Sequence, residues 1–372
     1  MPALPPSWTA RTLPAVRRKL LAWFDAHQRP LAWRADRDPY RIWVSEVMLQ
    51  QTTVAAVGPY FDRFLTAFPA VQALAAADEQ QVLKLWEGLG YYRRARHLHA
   101  AARTLVTEHG GTLPDDPAVW AELPGVGRYI LGAVLSQAFD RRLPIVEANS
   151  LRVLARWFGY PGDPRTGAGK KWVWDAATAV LPAKRAGDFN QAVMELGATV
   201  CKPVAPKCDE CPVAKWCEAK RLGNQADIPP PAVRPVPTLV REVGVAVRDG
   251  GRVLWCRRRP DAGRWQNMWE LPHAEVRPGE TLEAAAERMA AELTGLRVTA
   301  GPEVATVKHG VTRWAITLTV LEAERAGGEF VAGEYAAGAW LSAAEWAGLP
   351  VSAPQRKLAD ALAKPPRRGL FG

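Results

Sequence analysis

"CKPVAPKCDECPVAKWC", residues 201–217, gathers Cys201, Cys208, Cys211 and Cys217 into one short segment, and the fifth cysteine, Cys256, stands well away from them. The N-terminus, "MPALPPSWTARTLPAVRRKLL", has arginines but no apolar signal core, so the expected setting is the reducing cell interior, where clustered cysteines are metal ligands before they are disulfides. The spacing C-x6-C-x2-C-x5-C leaves two chemistries open. Structural zinc usually pairs two C-x2-C knuckles across a longer loop. One C-x2-C flanked by single cysteines in a compact loop leans instead to a cubane iron–sulfur cluster. Lys202, Lys207, Lys215 and Lys220 around it suit either a phosphate backbone or the negative charge of such a cluster.

Upstream of this loop the chain reads as helix almost throughout. Leu13, Val16, Leu20 and Phe24 make one apolar stripe, and "TVAAVGPYFDRFLTAF", "EQQVLKLWEGL", "RARHLHAAARTLVTEH", "YILGAVLSQAF" and "FNQAVMELGATV" carry the same period. Downstream, "IPPPAVRPVPT" (228–238) holds five prolines and reads as a stiff linker. Beyond it the period becomes two, with Val243, Val245 and Val247 and then Trp314, Ile316, Leu318 and Val320 alternating, and "DGG" at 249–251 supplies a hairpin turn. The expected architecture is therefore multidomain, an all-α unit over 1–227 followed by an α+β unit over 239–364 and a tail at 365–372. The 372 residues carry a net charge of +10, which favours an anionic partner. No apolar run approaches the roughly 20 residues of a membrane span, so nucleic acid is the better match.

"LPGVGRY" joins two helical stretches. Gly125 and Gly127 permit close backbone approach, and the amides that open the next helix can grip a phosphate oxygen without reading a base. Taken alone, the same residues could make a tight helix–helix turn with no ligand.

The hairpin and the four-cysteine loop together resemble the helix-hairpin-helix DNA glycosylases that carry a [4Fe–4S] cluster. "WVSEVMLQQTTV", "GLGYYRRARHLHAAA", "LPGVGRYILGAVLS" and "FNQAVMELGATVC", with a Nudix-like region after them, are similar to the adenine DNA glycosylases of the MutY type. The resemblance implies removal of adenine mispaired with 8-oxoguanine or guanine in double-stranded DNA, by a monomer of the cytoplasm or nucleoid whose Cys201, Cys208, Cys211 and Cys217 hold the cluster. Breaking an N-glycosidic bond calls for an acid at the base and an anion at the sugar. Glu46, among apolar neighbours, takes the acid role in the family, and Glu147 the other, where the family pattern has aspartate. Tyr129 stands where related endonuclease III-like enzymes have a Schiff-base lysine, which implies a glycosylase without strong lyase activity. By the same resemblance Tyr129 and Asn149 hydrogen-bond the catalytic carboxylate and its water. Arg29, Trp33, Arg34 and Gln191 line the pocket for the extruded adenine. Gln51 and Tyr91 fill the gap it leaves, with Leu49 a weaker candidate, and Leu123, Gly125, Val126, Gly127 and Arg128 hold the backbone.

In the second half, "AEVRPGETLEAAAERMAAELTGL" lies on the Nudix box with Glu280, Arg288, Glu292, Gly295 and Leu296 in place, but Ala274, Met289 and Leu293 depart from it. Losing two of three metal-binding glutamates argues against pyrophosphate hydrolysis and for a reader of 8-oxoguanine. The family's Phe-Ser-His loop corresponds to Val311-Thr312-Arg313, where Thr312 keeps a hydroxyl. Cys256 reads as a core residue. Two other readings stand beside this one. A thymine-mismatch glycosylase can also carry tyrosine after the hairpin, and a catalytically inactive lesion-binding protein is favoured only by Glu147.

Overall fold

The computed structural model describes residues 8–232 and 235–364. Residues 1–7, the linker positions Val233 and Arg234, and the expected tail at 365–372 lie outside the described residues. Among those described, the helices before the linker are α1 (Leu13–His27), α2 (Pro39–Leu49), α3 (Val54–Ala67), α4 (Val71–Ala76), α5 (Glu79–Leu85) and α6 (Arg93–His109). They continue with α7 (Pro117–Glu122), α8 (Arg128–Phe139), α9 (Ala148–Phe158), α10 (Gly167–Val180), α11 (Ala186–Thr199) and α12 (Glu218–Leu222), and short 3-10 turns cover Ala32–Arg34, Cys208–Glu210 and Ala214–Trp216. The chain forms two compact units. One joins the residues before Ala77 to those from Ala100 up to the linker, and the other joins Ala77–His99 to the residues after it.

In the helical unit the α1 stripe is buried through Val16, Leu20 and Phe24, which share a core with Trp157 of α9, Val173 of α10 and Phe189 of α11. α2 starts cleanly because Asp38 caps it, accepting from the Tyr40 N–H, and Pro39 follows at its first position. From Ile42 to Met48 every α2 residue is buried, so this helix is enclosed on all sides and its one carboxylate, Glu46, is enclosed with it. α8 lies against α2. A Cβ on Gly132 of α8 would come within 2.5 Å of the Pro144 carbonyl oxygen, so glycine there lets the extended segment before α9 run along α8. Asn190 of α11 pins that segment by donating to Leu143 O at 2.8 Å and accepting from Ile145 N at 3.3 Å. The chain is thereby delivered to Glu147, which begins α9.

The second unit contains a mixed sheet of β1 (Thr238–Asp249), β2 (Arg252–Arg258), β3 (Trp269–Glu270), β4 (His273–Glu275), β5 (Arg297–Val311), β6 (Trp314–Gly327) and β7 (Tyr335–Leu341), in the order β3-β2-β1-β6-β5. β4 pairs with β1 and β7 with β2, and the β1–β6 ladder alone is parallel. Gly250 and Gly251, at φ 56° and 80°, make the two-residue turn between β1 and β2 that only left-handed backbone can close. Period-two alternation sends Val243, Val245 and Val247 to one face, against α13 (Leu282–Thr294). Ile316, Leu318 and Val320 face the other way, against Trp346 of α14 (Ala343–Ala347) and Leu358 of α15 (Ala353–Leu362). Cys256 is fully buried in the first of these cores. The segment 77–99 belongs to this unit through polar bonds that no periodicity announces. Arg356 forks onto Glu87 at 2.5 and 3.0 Å, Lys84 donates to Ala347 O at 2.7 Å, and the Trp269 indole donates to Gln80 at 3.0 Å.

Candidate active site

Glu46 is 3% exposed, yet both of its oxygens have donors. The Gln137 amide donates to Oε1 at 2.7 Å and the Tyr129 hydroxyl makes a short bond to Oε2. Burial pushes the Glu46 carboxyl up from its ordinary value, against the pull of Tyr129, Gln137 and the Arg34 charge. Burial likewise holds the Tyr129 phenol far above its usual range, with the charge of Glu46 adding to it. Tyr129 therefore stays a neutral donor.

Glu147 stands at the N-cap of α9, accepting from Asn149 N and Ser150 N, both at 2.7 Å, while the Ser150 hydroxyl accepts from the Glu147 N–H to complete a capping box. The Asn149 side chain adds a bond to the same carboxylate at 3.2 Å, and Arg152 holds Asn149 from behind at 2.9 Å. Burial pushes Glu147 up too, and the two backbone amides and Arg152 pull it back. Tyr129, bonded to Glu46, also feels the Glu147 charge, so the two carboxyls lie within electrostatic range of each other. Burial raises both and a guanidinium pulls on each; they differ in their bonded donors, two neutral side chains on Glu46 and the first amides of α9 on Glu147.

A cavity of about 180 Å³ has Trp33, Arg34, Gln137 and Gln191 in its wall; neither Glu46 nor Glu147 lines it, and Gln137, bonded to Glu46, is the link between the two. Arg34 donates to the Gln191 carbonyl at 2.8 Å and to Glu195 at 2.9 Å, and Arg29 forks onto Glu195 at 2.6 and 3.0 Å. Burial would raise the Glu195 carboxyl, but the Arg29 bond and the Arg34 charge outweigh it and hold it ionised. Sequence reasoning missed Glu195 and Gln137. Glu195 lies four residues after Gln191, on the same helix face, and Gln137 is a polar side chain two turns beyond Tyr129 in an otherwise apolar helix; those spacings were the available signals.

Between α7 and α8, Gly125 takes φ 77° and Gly127 caps α8 without any side chain, leaving the first-turn amides open. Leu123 is buried, with its N–H and C=O both bonded inside the turn, while Val126 is half-buried. Arg128 is packed with its guanidinium 3.9 Å from the Trp174 ring centroid. Gln51, just past α2, is exposed at φ 59°, and Leu49 is half-buried. In the second unit Tyr91 is 57% exposed at φ 47°, and the Arg94 guanidinium, which bonds Leu89 O and Gly90 O, lies over its ring. Thr312 is exposed at φ 50° in the two-residue turn between β5 and β6. Left-handed backbone is unfavourable for these residues, above all for β-branched Thr312, and such strain is typically kept at functional positions. Also in this unit, Arg288 binds both oxygens of Glu280 and reaches Glu292, so the two remaining Nudix-box carboxylates are paired with an arginine.

Cys201, Cys208, Cys211 and Cys217 all line one cavity beneath Arg156, and none is in a disulfide. Burial pushes the Cys211 and Cys217 thiols up to about 12 and about 11, and their neighbours' charges add to the effect. Four thiols on one cavity form a donor set suited to a thiolate-bound metal group, which would take their protons on binding. Among the described residues no group of three or more His, Cys, Asp or Glu side chains is arranged to hold a single metal ion. Of the surrounding lysines, Lys207 pairs with Glu210, Lys220 with Asp209, and Lys215 lies over Trp216. No described helix is long and apolar enough to cross a membrane.

A hairpin-joined helical unit with a buried, doubly bonded glutamate and a mixed-sheet unit define a helix-hairpin-helix base excision DNA repair protein with an appended Nudix domain. Residues 44–174 match the family model of the HhH-GPD superfamily base excision DNA repair proteins, and residues 242–361 match that of the NUDIX domain. An adenine DNA glycosylase of Buchnera aphidicola subsp. Schizaphis graminum is 32% identical over 259 residues, spanning 69% of this chain and 74% of that protein. The mouse adenine DNA glycosylase is 37% identical over 72% of this chain and 62% of its own length, and the rat protein is 46% identical over 56% and 43%. A solved thermostable thymine-DNA glycosylase is 28% identical with a TM-score of 0.51, covering 57% of this chain and 98% of its own. The chain belongs to the adenine DNA glycosylase family, and it spans about half the length of the mammalian relatives it matches.

The Glu195 carboxylate is wholly buried between two arginines. Glu195→Ala strands those cations and should lower the unfolding free energy by about 3 kcal/mol in urea titrations, the typical cost of leaving a buried charge unpaired. A change below about 1 kcal/mol would mean that the arginines find water instead.

Proposed function

We propose that this chain is a DNA glycosylase that removes adenine mispaired with 8-oxoguanine or guanine, hydrolysing the N-glycosidic bond after the base is flipped out. The observation that carries this reading is the pair of adjacent carboxyls set in unlike environments. Glu46, buried with neutral donors, keeps its proton for N7 of adenine, which makes the base a leaving group. Glu147, resting on helix amides, supplies negative charge where the sugar becomes oxocarbenium-like. The cavity that Gln137 shares has planar and polar groups for a purine: Trp33 offers a ring face, Arg34 donors and Gln191 either role, with Glu195 holding Arg34 in place from behind. Tyr129 has no amine, so no Schiff base forms and strand cleavage is weak. Flipping costs a few kcal/mol, which Gln51 offsets by filling the vacated stack, with Tyr91 a further candidate for that wedge. The amides at Gly125–Gly127 hold the backbone, and Thr312 addresses the 8-oxoguanine opposite.

A second reading, excision of thymine from T:G mispairs, is favoured by the likeness to the thymine-DNA glycosylase. Single-turnover assays on duplexes with A opposite 8-oxoguanine, A opposite G, and T opposite G, each followed by alkali, separate the two. The expected order is A:8-oxoguanine fastest, A:G next and T:G uncut. Glu147→Ala should nearly abolish excision while mispair binding persists, and Glu147→Asp, one methylene shorter, should keep partial activity; misplacement near 1 Å can cost about a hundredfold. Preferred cleavage at T:G, or a Glu147→Ala enzyme as fast as the parent, overturns the assignment.

The domain limits follow the same reading: a glycosylase region over 1–227 and a lesion-reading region over 239–364. Cys201, Cys208, Cys211 and Cys217 would hold a [4Fe–4S] cluster, supported by four free thiols that line one cavity. Its role would be to shape a phosphate-binding loop, because the proposed acid and anion lie elsewhere. Purified protein should contain iron and acid-labile sulfide, and removing them should weaken DNA binding more than the excision step. Stoichiometric zinc without sulfide would contradict the cluster.

A further inference from the structure

Among the described residues, Gln137 is the one that both hydrogen-bonds Glu46 and stands in the wall of the base cavity. It is 6% exposed, on the same helix as Tyr129 and two turns further along. From these two points α8 clamps the carboxyl of α2 at both oxygens, Tyr129 on Oε2 and Gln137 on Oε1. Two fixed donors define the plane of the carboxyl. Each oxygen keeps one further lone-pair direction, so the acidic proton is presented away from α8. A leucine at 137 would leave Oε1 buried without a donor. A lysine or arginine there would hold the carboxyl ionised and remove the proton that the reaction needs.

We propose that Gln137 is a positioning residue for Glu46, an uncharged clamp that fixes the orientation of the acid from the wall of the base cavity. This rests on the reading of Glu46 as the general acid and adds to it a residue that sets how that acid is held. A donor to a carboxyl favours its ionised form, so Gln137 also limits how far burial raises Glu46. The other groups that act on Glu46 are Tyr129 from the start of α8, Arg34 from the turn before α2 and Glu147 from the start of α9; the charged residues of α3, Asp62 and Arg63, are exposed. Of these, Gln137 is the partner that can lose its donors without a change in net charge or the loss of the Tyr129 hydroxyl.

The test titrates Glu46 directly, by carboxyl carbon NMR of glutamate-labelled full-length protein, with Glu46→Gln to assign the resonance. In Gln137→Leu, or Gln137→Met should the branched side chain fold poorly, the Glu46 midpoint should rise by about one pH unit, the worth of one neutral hydrogen bond. Single-turnover adenine excision should fall at low pH through lost aim, and its decline at high pH should move upward by the same unit. A purely structural role would lower stability and leave both midpoints where they were. An unchanged or lowered Glu46 midpoint overturns the proposal. If the parent excises no adenine, the functional reading fails, while the titration still decides the role of Gln137.

Discussion

The site depends on one costly constraint, a carboxyl enclosed on all sides of α2 with no cation bonded to it. Enclosure favours the neutral acid, and the folded chain tolerates it because Tyr129 and Gln137 satisfy both oxygens. Linkage sets a sign. A carboxyl whose folded pKa lies above its unfolded value binds more protons in the native state, so it costs stability as pH rises from the ordinary carboxylate range through the raised pKa. That stability is the cost of a carboxyl that holds its proton to higher pH than an exposed glutamate does.

Other features of the helical unit serve that constraint or complement it. Gly132 and Asn190 lay the segment before α9 along α8, which delivers Glu147 next to Glu46. The same carboxylate that faces the site also caps α9, so the extra methylene relative to aspartate is absorbed at the helix start, where the side chain still reaches two backbone amides. Arg29 and Arg34 converge on Glu195, and that ion-pair cluster fixes Arg34 where it lines the cavity.

Much of the fold was legible because periodicity and turn chemistry act locally. The α1 stripe, the helices around the hairpin and the two faces of the sheet follow from apolar spacing, and "DGG" closes its turn for the reason glycine predicts. The motif residues were also legible as types: two glutamates, a tyrosine and four cysteines. What stayed hidden was long-range. Nothing in "MELG" shows that Glu195 will meet two arginines more than 160 residues earlier. Nothing in "LSQAF" separates a solvated glutamine from one bonded to a buried acid. The grouping of Ala77–His99 with the chain after the linker rests on single polar bonds such as Arg356 to Glu87, which leave no periodic trace. Nothing in "GYYRRARH" shows that Arg94 turns its guanidinium inward to hold the Leu89–Tyr91 turn.

The central claim, that Glu46 delivers the proton that releases adenine, is tested most directly by Glu46→Gln in a single-turnover assay on A opposite 8-oxoguanine. Glutamine keeps the shape of the side chain and can still meet Tyr129 and Gln137, but it has no proton to give. The account predicts a fall in excision of about a hundredfold to ten-thousandfold, the usual worth of general acid catalysis, with mispair affinity retained. Excision by Glu46→Gln at the parent rate would contradict it.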